Sequence, residues 1–177
     1  LPDAAAIEAV GLVDNPNTAI IDTSTAHRTA DGWTYGFPEL TGADTIAKSK
    51  RIANPGCHAT GFIACVYPLV AMGILPKEAA LSSFSLTGYS GGGKKMIAEY
   101  EDANRNPLLG APRQYALTQN HKHLKEMKAV PGLTHEPIFL PQVCDYYSGM
   151  IVTIPFHADA LTKKVTLAQL HEVFAKH

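Results

Sequence analysis

The sequence has almost no charge imbalance: Lys and Arg number 15 against 16 Asp and Glu, a formal net charge of −1. Nucleic acids and anionic membrane surfaces are gripped by clustered Lys and Arg, so neither is an expected partner. Long hydrophobic runs are missing too. The longest, Phe62 to Leu75, is interrupted by Pro68 and Gly73 and is too short to cross a bilayer, so it reads as a core helix. Cysteine is sparse: Cys57, Cys65 and Cys144 form an odd set without a Cys-x-x-Cys pair, which argues against a disulfide framework or a zinc ribbon and favours a reducing, cytoplasmic setting. There is no Gly-x-Gly-x-x-Gly fingerprint for a dinucleotide. The opening Leu1-Pro2-Asp3 has neither an initiator Met nor a signal peptide, which leads us to expect a fragment.

What is present is the balance of a globular protein, with 46% hydrophobic and 18% charged residues in 177, enough for one domain or for one plus part of another. Ala, Ile, Val and Leu at helical spacing predict a helix over Asp3 to Val13 with Asp3 as its N-cap. Asp14-Asn15-Pro16-Asn17 turns the chain into a buried strand over Thr18 to Asp22. Thr23 to Lys50 reads as a long polar loop packed by Trp33, Tyr35 and Phe37. A helix is predicted from Cys57 toward Met72, bent at Pro68. A strand over Leu81 to Thr87, a glycine-rich loop over Gly88 to Gly93 and a helix over Lys94 to Asn104 follow. Further strands are expected at Tyr115 to Thr118 and at Met150 to His157, the latter at a sheet edge or carrying a bulge because of Pro155. A closing helix from Thr166 to Lys176 carries a Thr166/Gln169 capping box.

Three places carry candidate chemistry. Cys57 follows Pro55-Gly56 at a helix start, where unpaired amides and the macrodipole favour a thiolate, although a small buried hydrophobe is an equal reading of the local residues. Cys65 reads as core. In Gly88-Tyr89-Ser90-Gly91-Gly92-Gly93-Lys94-Lys95, Lys95 stands where a P-loop needs Ser or Thr. A metal-free phosphate or carboxylate site using Gly92 and Lys94 competes there with a plain surface turn. His121 and His123 are candidate acid/bases; on a helix they would diverge by about 200°, so both reach one site only if the backbone there is extended. With Asn120 as N-cap, His121 would sit in a helical first turn and stay neutral enough to act as a base. A lone His-x-His does not predict a metal. After the first strand, Ser24 and Arg28 lie at the carboxyl end, where open α/β sheets bind ligands, and Arg28 is either a clamp for a substrate anion or one half of a salt bridge.

Taken together, Asn54-Pro55-Gly56-Cys57-His58-Ala59-Thr60-Gly61, then Cys65-Val66-Tyr67-Pro68, the upstream Tyr35-Gly36-Phe37-Pro38-Glu39-Leu40 and the downstream His121-x-His123 resemble the N-acetyl-gamma-glutamyl-phosphate reductases of arginine biosynthesis. His58, where many members carry an aromatic, and Asp22-Thr23-Ser24-Thr25-Ala26-His27-Arg28 resemble their shorter, second type. The resemblance implies an α/β and α+β architecture: residues 1–56 as the end of a Rossmann-like NADP-binding domain, and residues 57–177 as a GAPDH-like catalytic and dimerisation domain with a mixed or antiparallel sheet. It also implies a homo-oligomer, dimer or tetramer. Cys57 would attack the acyl phosphate, NADPH would reduce the thioester, and His121 or His123 would serve as acid/base. Arg28, Ser24, Gly92 and Lys94 become candidate substrate contacts, and Gly91 and Pro55 weak cofactor contacts, the main NADP loop being absent. The chain alone is expected to be inactive as a reductase. A cysteine hydrolase or acyltransferase without nicotinamide, a P-loop hydrolase and a non-catalytic dimerisation module are the alternatives.

Overall fold

The computed structural model describes residues 1–177. Its first part is helix, turn and parallel sheet. α1 (Asp3–Gly11) leads into β1 (Ile20–Asp22), and β2 (Thr34–Tyr35), α2 (Pro38–Thr41), α3 (Ala43–Lys48) and β3 (Arg51–Ala53) follow. The sheet order is β1-β3-β2, all parallel, with Ile20, Ile21 and Asp22 opposite Arg51, Ile52 and Ala53. Two details differ from expectation. Pro2 takes the N-cap of α1, while the Asp3 carboxylate accepts hydrogen bonds from the Thr25 backbone amide and hydroxyl. β1 is buried only at Asp22, and Ile21 is 66% exposed. The stretch read as a loop holds β2, α2 and α3, each too short to leave a periodic signal.

The core is organised around α4 (Cys57–Ala71). Its Ala59, Phe62, Ile63, Val66 and Leu69 pack with Ile74, Leu75, Leu81 and Phe139, among others, and Tyr35, Phe37 and Leu40 from the first part close over them. Pro68 is carried inside the helix, as expected. α4 lies close on the sheet because Gly61 has no side chain: a Cβ there would sit 2.5 Å from Val152 Cγ2.

That sheet is mixed. β4 (Ser82–Gly88) pairs in parallel with β6 (Ile138–Cys144), while β5 (Arg113–Gln114) and β7 (Met150–Thr153) run antiparallel on the outside, in the order β5-β6-β4-β7. β7 is therefore an edge strand, one of the two readings offered by Pro155, but it ends at Thr153, short of Pro155 and of the expected His157. β6 was not anticipated, because Pro141 in its middle argues against an inner strand. Pro141 is tolerated where β5 gives out: its carbonyl accepts from Tyr115 N at 3.2 Å, and in extended backbone its nitrogen faces that same edge. The strand expected over Tyr115 to Thr118 lies instead at Arg113–Gln114, and Ala116 and Gln119, both with φ of 54°, turn the chain away.

Three more helices complete the fold: α5 (Gly93–Glu101), α6 (Leu124–Ala129) and α7 (Leu167–Ala175). The Thr166/Gln169 capping box of α7 is present. No helix is long and apolar enough to cross a membrane.

Candidate active site

Cys57 is the first residue of α4 and is exposed. The chain arrives from β3 through Asn54-Pro55-Gly56. Asn54 N is tied to Asp22 O at 2.8 Å, and Gly56 is the helix N-cap in extended conformation. The Gly56 carbonyl receives both the amide and the hydroxyl of Thr60, at 2.8 and 2.9 Å. The amides of Cys57, His58 and Ala59 precede that first turn of bonds, and no acidic side chain sits among them, so the start of α4 offers unpaired donors and positive potential to negative charge beside Cys57.

Gly56 is pinned. Its amide donates to Glu126 Oε2 at 3.2 Å, and a Cβ on it would fall 2.5 Å from His123 Nε2, 2.6 Å from Arg28 Nη1 and 2.6 Å from Glu126 Oε1. Glu126, 1% exposed, gathers this corner: it also accepts from Arg28 Nη1 and from the Tyr35 hydroxyl, both at 2.7 Å. Arg28 further donates through Nε to Asn54 O at 2.8 Å and through Nη2 to Thr23 O at 3.2 Å. One carboxylate on α6 thus fastens the first sheet to the N-cap of the cysteine helix. A Gly56→Ala substitution is expected to push these three groups apart and to slow any reaction at Cys57, which acylation kinetics would detect.

Cys57 opens into a cavity of about 520 Å³ lined from four directions. Asn54, Pro55 and His58 flank the cysteine. Thr87, Gly91, Gly92 and Met96 come from the end of β4 and the glycine-rich segment, Tyr115 and Val143 from the β5–β6 side, and Arg28, His121, Lys122 and His123 close the rest. The expected glycine-rich loop is a single 3₁₀ turn, Tyr89–Gly92, and it brings Gly91 and Gly92 to the cavity. Lys94 is exposed and does not line it, and Lys122 supplies the second cation in its place. Ser24 is also elsewhere. Its hydroxyl donates to Asp22 Oδ2 at 2.8 Å, beside the His27 Nδ1 contact to the same oxygen at 2.6 Å. Burial alone would raise the Asp22 carboxyl, but the bonds from His27 and Ser24 outweigh it and hold Asp22 below its ordinary range.

Both histidines of His121-x-His123 reach the cavity, for a reason the helical argument did not contain. α6 starts only at Leu124 with His123 as its N-cap, so His121 lies before the helix, not in its first turn. The Gln119 side-chain amide bonds both backbone groups of Phe139, donating to its carbonyl and accepting from its amide, each at 2.8 Å. This clamp extends the edge of β6 beyond the point where β5 ends and holds the segment in place. The two imidazoles meet at 4.6 Å between centroids, and His121 Nδ1 accepts from His123 N at 3.2 Å, which leaves the proton of a neutral His121 on Nε2. His123 is buried, and its Nδ1 has no hydrogen-bond partner. Burial, with the charges of His121 and Arg28 next, pushes its pKa down to about 2, so it stays neutral. Half-buried His121 is lowered as well, by burial first and by Lys122 second.

Residues 57–177 match the family model for the semialdehyde dehydrogenase dimerisation domain. The chain belongs to that family. Along its whole length it is 43% identical to N-acetyl-gamma-glutamyl-phosphate reductase 2 of Nostoc sp., and 44% identical to the N-acetyl-gamma-glutamyl-phosphate reductases of Burkholderia cenocepacia and Mesorhizobium japonicum. It spans 57%, 57% and 58% of those three proteins, little more than half of each. Among solved structures, it is similar to aspartate semialdehyde dehydrogenase II of Vibrio cholerae, with a TM-score of 0.68 at 13% identity over 97% of this chain and 57% of the other. For the Francisella tularensis aspartate semialdehyde dehydrogenase the TM-score is 0.59 at 11% identity over 88% and 54%. At these identities the likeness is one of fold.

Within this semialdehyde dehydrogenase fold, the cavity and corner residues outside the sequence-based candidates include His58 as a site residue, Tyr115, Lys122 and Glu126. Glu126 had a usable signal, because three residues after His123 it shares a helical face with it. Tyr115 and His58 had none, since their meeting depends on two strands and a helix distant in sequence.

The buried imidazoles have a consequence for stability. His58 is pushed down to about 4, by burial first and His121 second, and His123 to about 2. Unfolded, both regain a value near 6.5, so below that pH the unfolded chain binds protons that the folded chain does not, and stability falls as pH drops. The expected slope is roughly 1.4 kcal/mol per pH unit for each imidazole, beginning near pH ~6.5 and ending near pH ~4 for His58. Urea unfolding between pH 7 and 4.5, repeated on His58→Gln, checks it: the variant should show the shallower dependence.

Proposed function

We propose that this chain carries the acylation chemistry of an N-acetyl-gamma-glutamyl-phosphate reductase, which converts N-acetyl-gamma-glutamyl phosphate with NADPH to N-acetylglutamate 5-semialdehyde and phosphate. The observation that carries this reading is the exposed Cys57 at the start of α4, opening into a cavity shared with His121, Arg28 and Lys122, in a chain 43–44% identical to such reductases. The Cys57 thiolate forms a bond to the acyl carbon. Charge builds on the carbonyl oxygen, near the amides at the helix start, and the carbon–oxygen bond to phosphate then breaks to leave a thioester. The substrate is anionic at both ends. Arg28 and Lys122, with the backbone at Gly91 and Gly92, are the groups in the cavity suited to its phosphate and carboxylate.

His121 is the better acid/base of the pair. It has a free Nε2 facing no protein partner and is half-exposed, whereas His123 is locked neutral at every working pH. Its lowered pKa keeps it able to accept a proton below pH ~6.5, so a rate that depends on its neutral form should persist into mildly acidic buffer.

A nicotinamide would supply the hydride that reduces the thioester. The residues present do not form a complete site for it: of the two strand-to-helix turns at the cavity, one is occupied by Cys57 and the other, Tyr89–Gly92, lacks the Gly-x-Gly-x-x-Gly spacing. We read residues 1–56 as the closing part of a dinucleotide-binding domain and 57–177 as the catalytic and self-associating part. Three unpaired thiols, one exposed, suit a reducing cytoplasm.

The test needs no nicotinamide. Mixing the chain with N-acetyl-gamma-glutamyl phosphate should release one phosphate per chain and leave an acyl mass on the Cys57 peptide. Continuous phosphate release would point to a hydrolase, and absence of the adduct, or an adduct on Cys65 or Cys144, would overturn the proposal.

A further inference from the structure

His58 follows the nucleophile in sequence but turns its ring away from solvent, into the sheet. It is buried, with Nδ1 2.7 Å from Ser85 Oγ on β4 and Nε2 2.7 Å from the Tyr115 hydroxyl. Tyr115 in turn lines the Cys57 cavity. A neutral imidazole has one proton and one lone pair to offer, so this row can be protonated in only two ways. The surroundings of Ser85 choose between them. Ser85 is fully buried, and its hydroxyl has no hydrogen-bond partner in the structure other than His58 Nδ1. Were Nδ1 the protonated nitrogen, Ser85 would accept from it and its own proton would be left without an acceptor, an unsatisfied buried donor that costs about 1–3 kcal/mol. With the proton on Nε2, Ser85 donates to Nδ1, and the only unmet capacity is an oxygen lone pair, which proteins tolerate more readily. Nε2–H then donates to the Tyr115 oxygen, and the Tyr115 proton has no protein acceptor left in this row. It is free to point into the cavity.

We propose that Ser85 and His58 are positioning residues that orient the Tyr115 hydroxyl as a hydrogen-bond donor toward the oxygen that gains charge when Cys57 attacks the acyl phosphate. Tyr115 keeps its proton throughout: negative charge passes from sulfur to the carbonyl oxygen and leaves with phosphate, while the tyrosine only donates. Burial, and next the neighbouring Cys57, raise Tyr115 to about 12, consistent with a group that stays protonated beside a thiolate. The catalytic part of this inference rests on the function proposed above, whereas the relay itself does not.

Two measurements separate the two. In ¹⁵N-histidine spectra of the intact chain, the His58 signal, assigned by its loss in His58→Gln, should show the Nε2–H form. An Nδ1–H form overturns the relay whatever the substrate. In single-turnover acylation, Tyr115→Phe should lower the saturating rate constant about a hundredfold, the scale of one oxyanion donor, with little change in half-saturation. Ser85→Ala, a small change that frees the tautomer, should lower it several-fold in the native background and not at all in Tyr115→Phe. Equal loss in both backgrounds would make Ser85 merely structural and defeat the proposal, as would a Tyr115→Phe chain that acylates at the native rate. If the native chain is not acylated at all, the function falls, and the spectra still decide the relay.

Discussion

Cys57→Ser is expected to abolish acylation by N-acetyl-gamma-glutamyl phosphate, lowering its rate at least about a thousandfold, the scale seen when a nucleophile is removed from an otherwise intact site. The hydroxyl occupies nearly the same volume, but a serine hydroxyl stays protonated at neutral pH and is a far poorer nucleophile than a cysteine sulfur. The fold should not register the change. Cys57 is exposed and makes no side-chain hydrogen bond, and such surface substitutions usually stay within about 0.5 kcal/mol, so the thermal midpoint should move by no more than about 2 °C. Iodoacetamide labelling followed by peptide mass spectrometry gives the complementary result. Cys57 should alkylate well before Cys65, which is half-buried in α4 and whose thiol is raised by burial. Equal rates at the two sites would remove the case for a dedicated nucleophile.

The largest effect on stability is expected from Glu126→Ala. Glu126 is essentially inaccessible and accepts from Arg28, Tyr35 and Gly56 at once. Its removal leaves the Arg28 guanidinium, itself nearly buried, without its counter-charge, and leaves a tyrosine hydroxyl and a backbone amide without acceptors. Breaking a buried pair from one side costs about 3–5 kcal/mol, a large fraction of the ~5–15 kcal/mol that stabilises an ordinary domain. The expected readout is a fall in the urea midpoint with the slope unchanged, and a drop of roughly 10 °C or more in thermal midpoint. Tyr35 also responds to this group: burial first, and the Glu126 charge and hydrogen bond next, push its hydroxyl far above its ordinary pKa, so it remains a donor. Glu126→Gln is the informative control. It keeps the volume and one acceptor oxygen, so it should fold better than Glu126→Ala while still weakening the hold on Arg28. A Glu126→Ala chain as stable as the native one would mean that this corner is rearranged in solution.

The fold was legible where a signal is local. α4, α5 and α7 announce themselves through an apolar run, a glycine-rich start and a capping box, and β4 lies where a strand was expected over Leu81 to Thr87. β6 was hidden because Pro141 sits in its middle, and its acceptability depends on where a neighbouring strand ends. The first sheet was half-hidden for the same kind of reason: β2 and β3 are two and three residues long and exist through their pairing with one another.

The candidate site divides along the same line. Cys57, after Pro55-Gly56 at a helix start, and the His121-x-His123 pair could be named from the chain because each is a short motif whose chemistry depends on its immediate neighbours. The same chain could not say that Lys122 faces the cavity and Lys94 does not, that Ser24 is bound to Asp22, or that Arg28 is held by a glutamate 98 residues away. It pointed to His121 through a helix terminus that lies elsewhere, and the preference rests instead on burial, which leaves His123 permanently neutral and His121 able to titrate. Sequence by itself determined the family likeness and where the candidate nucleophile lies, because a helix start and a contiguous motif are properties of consecutive residues. Only the tertiary structure decided which acids, bases and cations surround that sulfur, because burial and hydrogen-bond partners arise when distant segments pack and water is excluded between them.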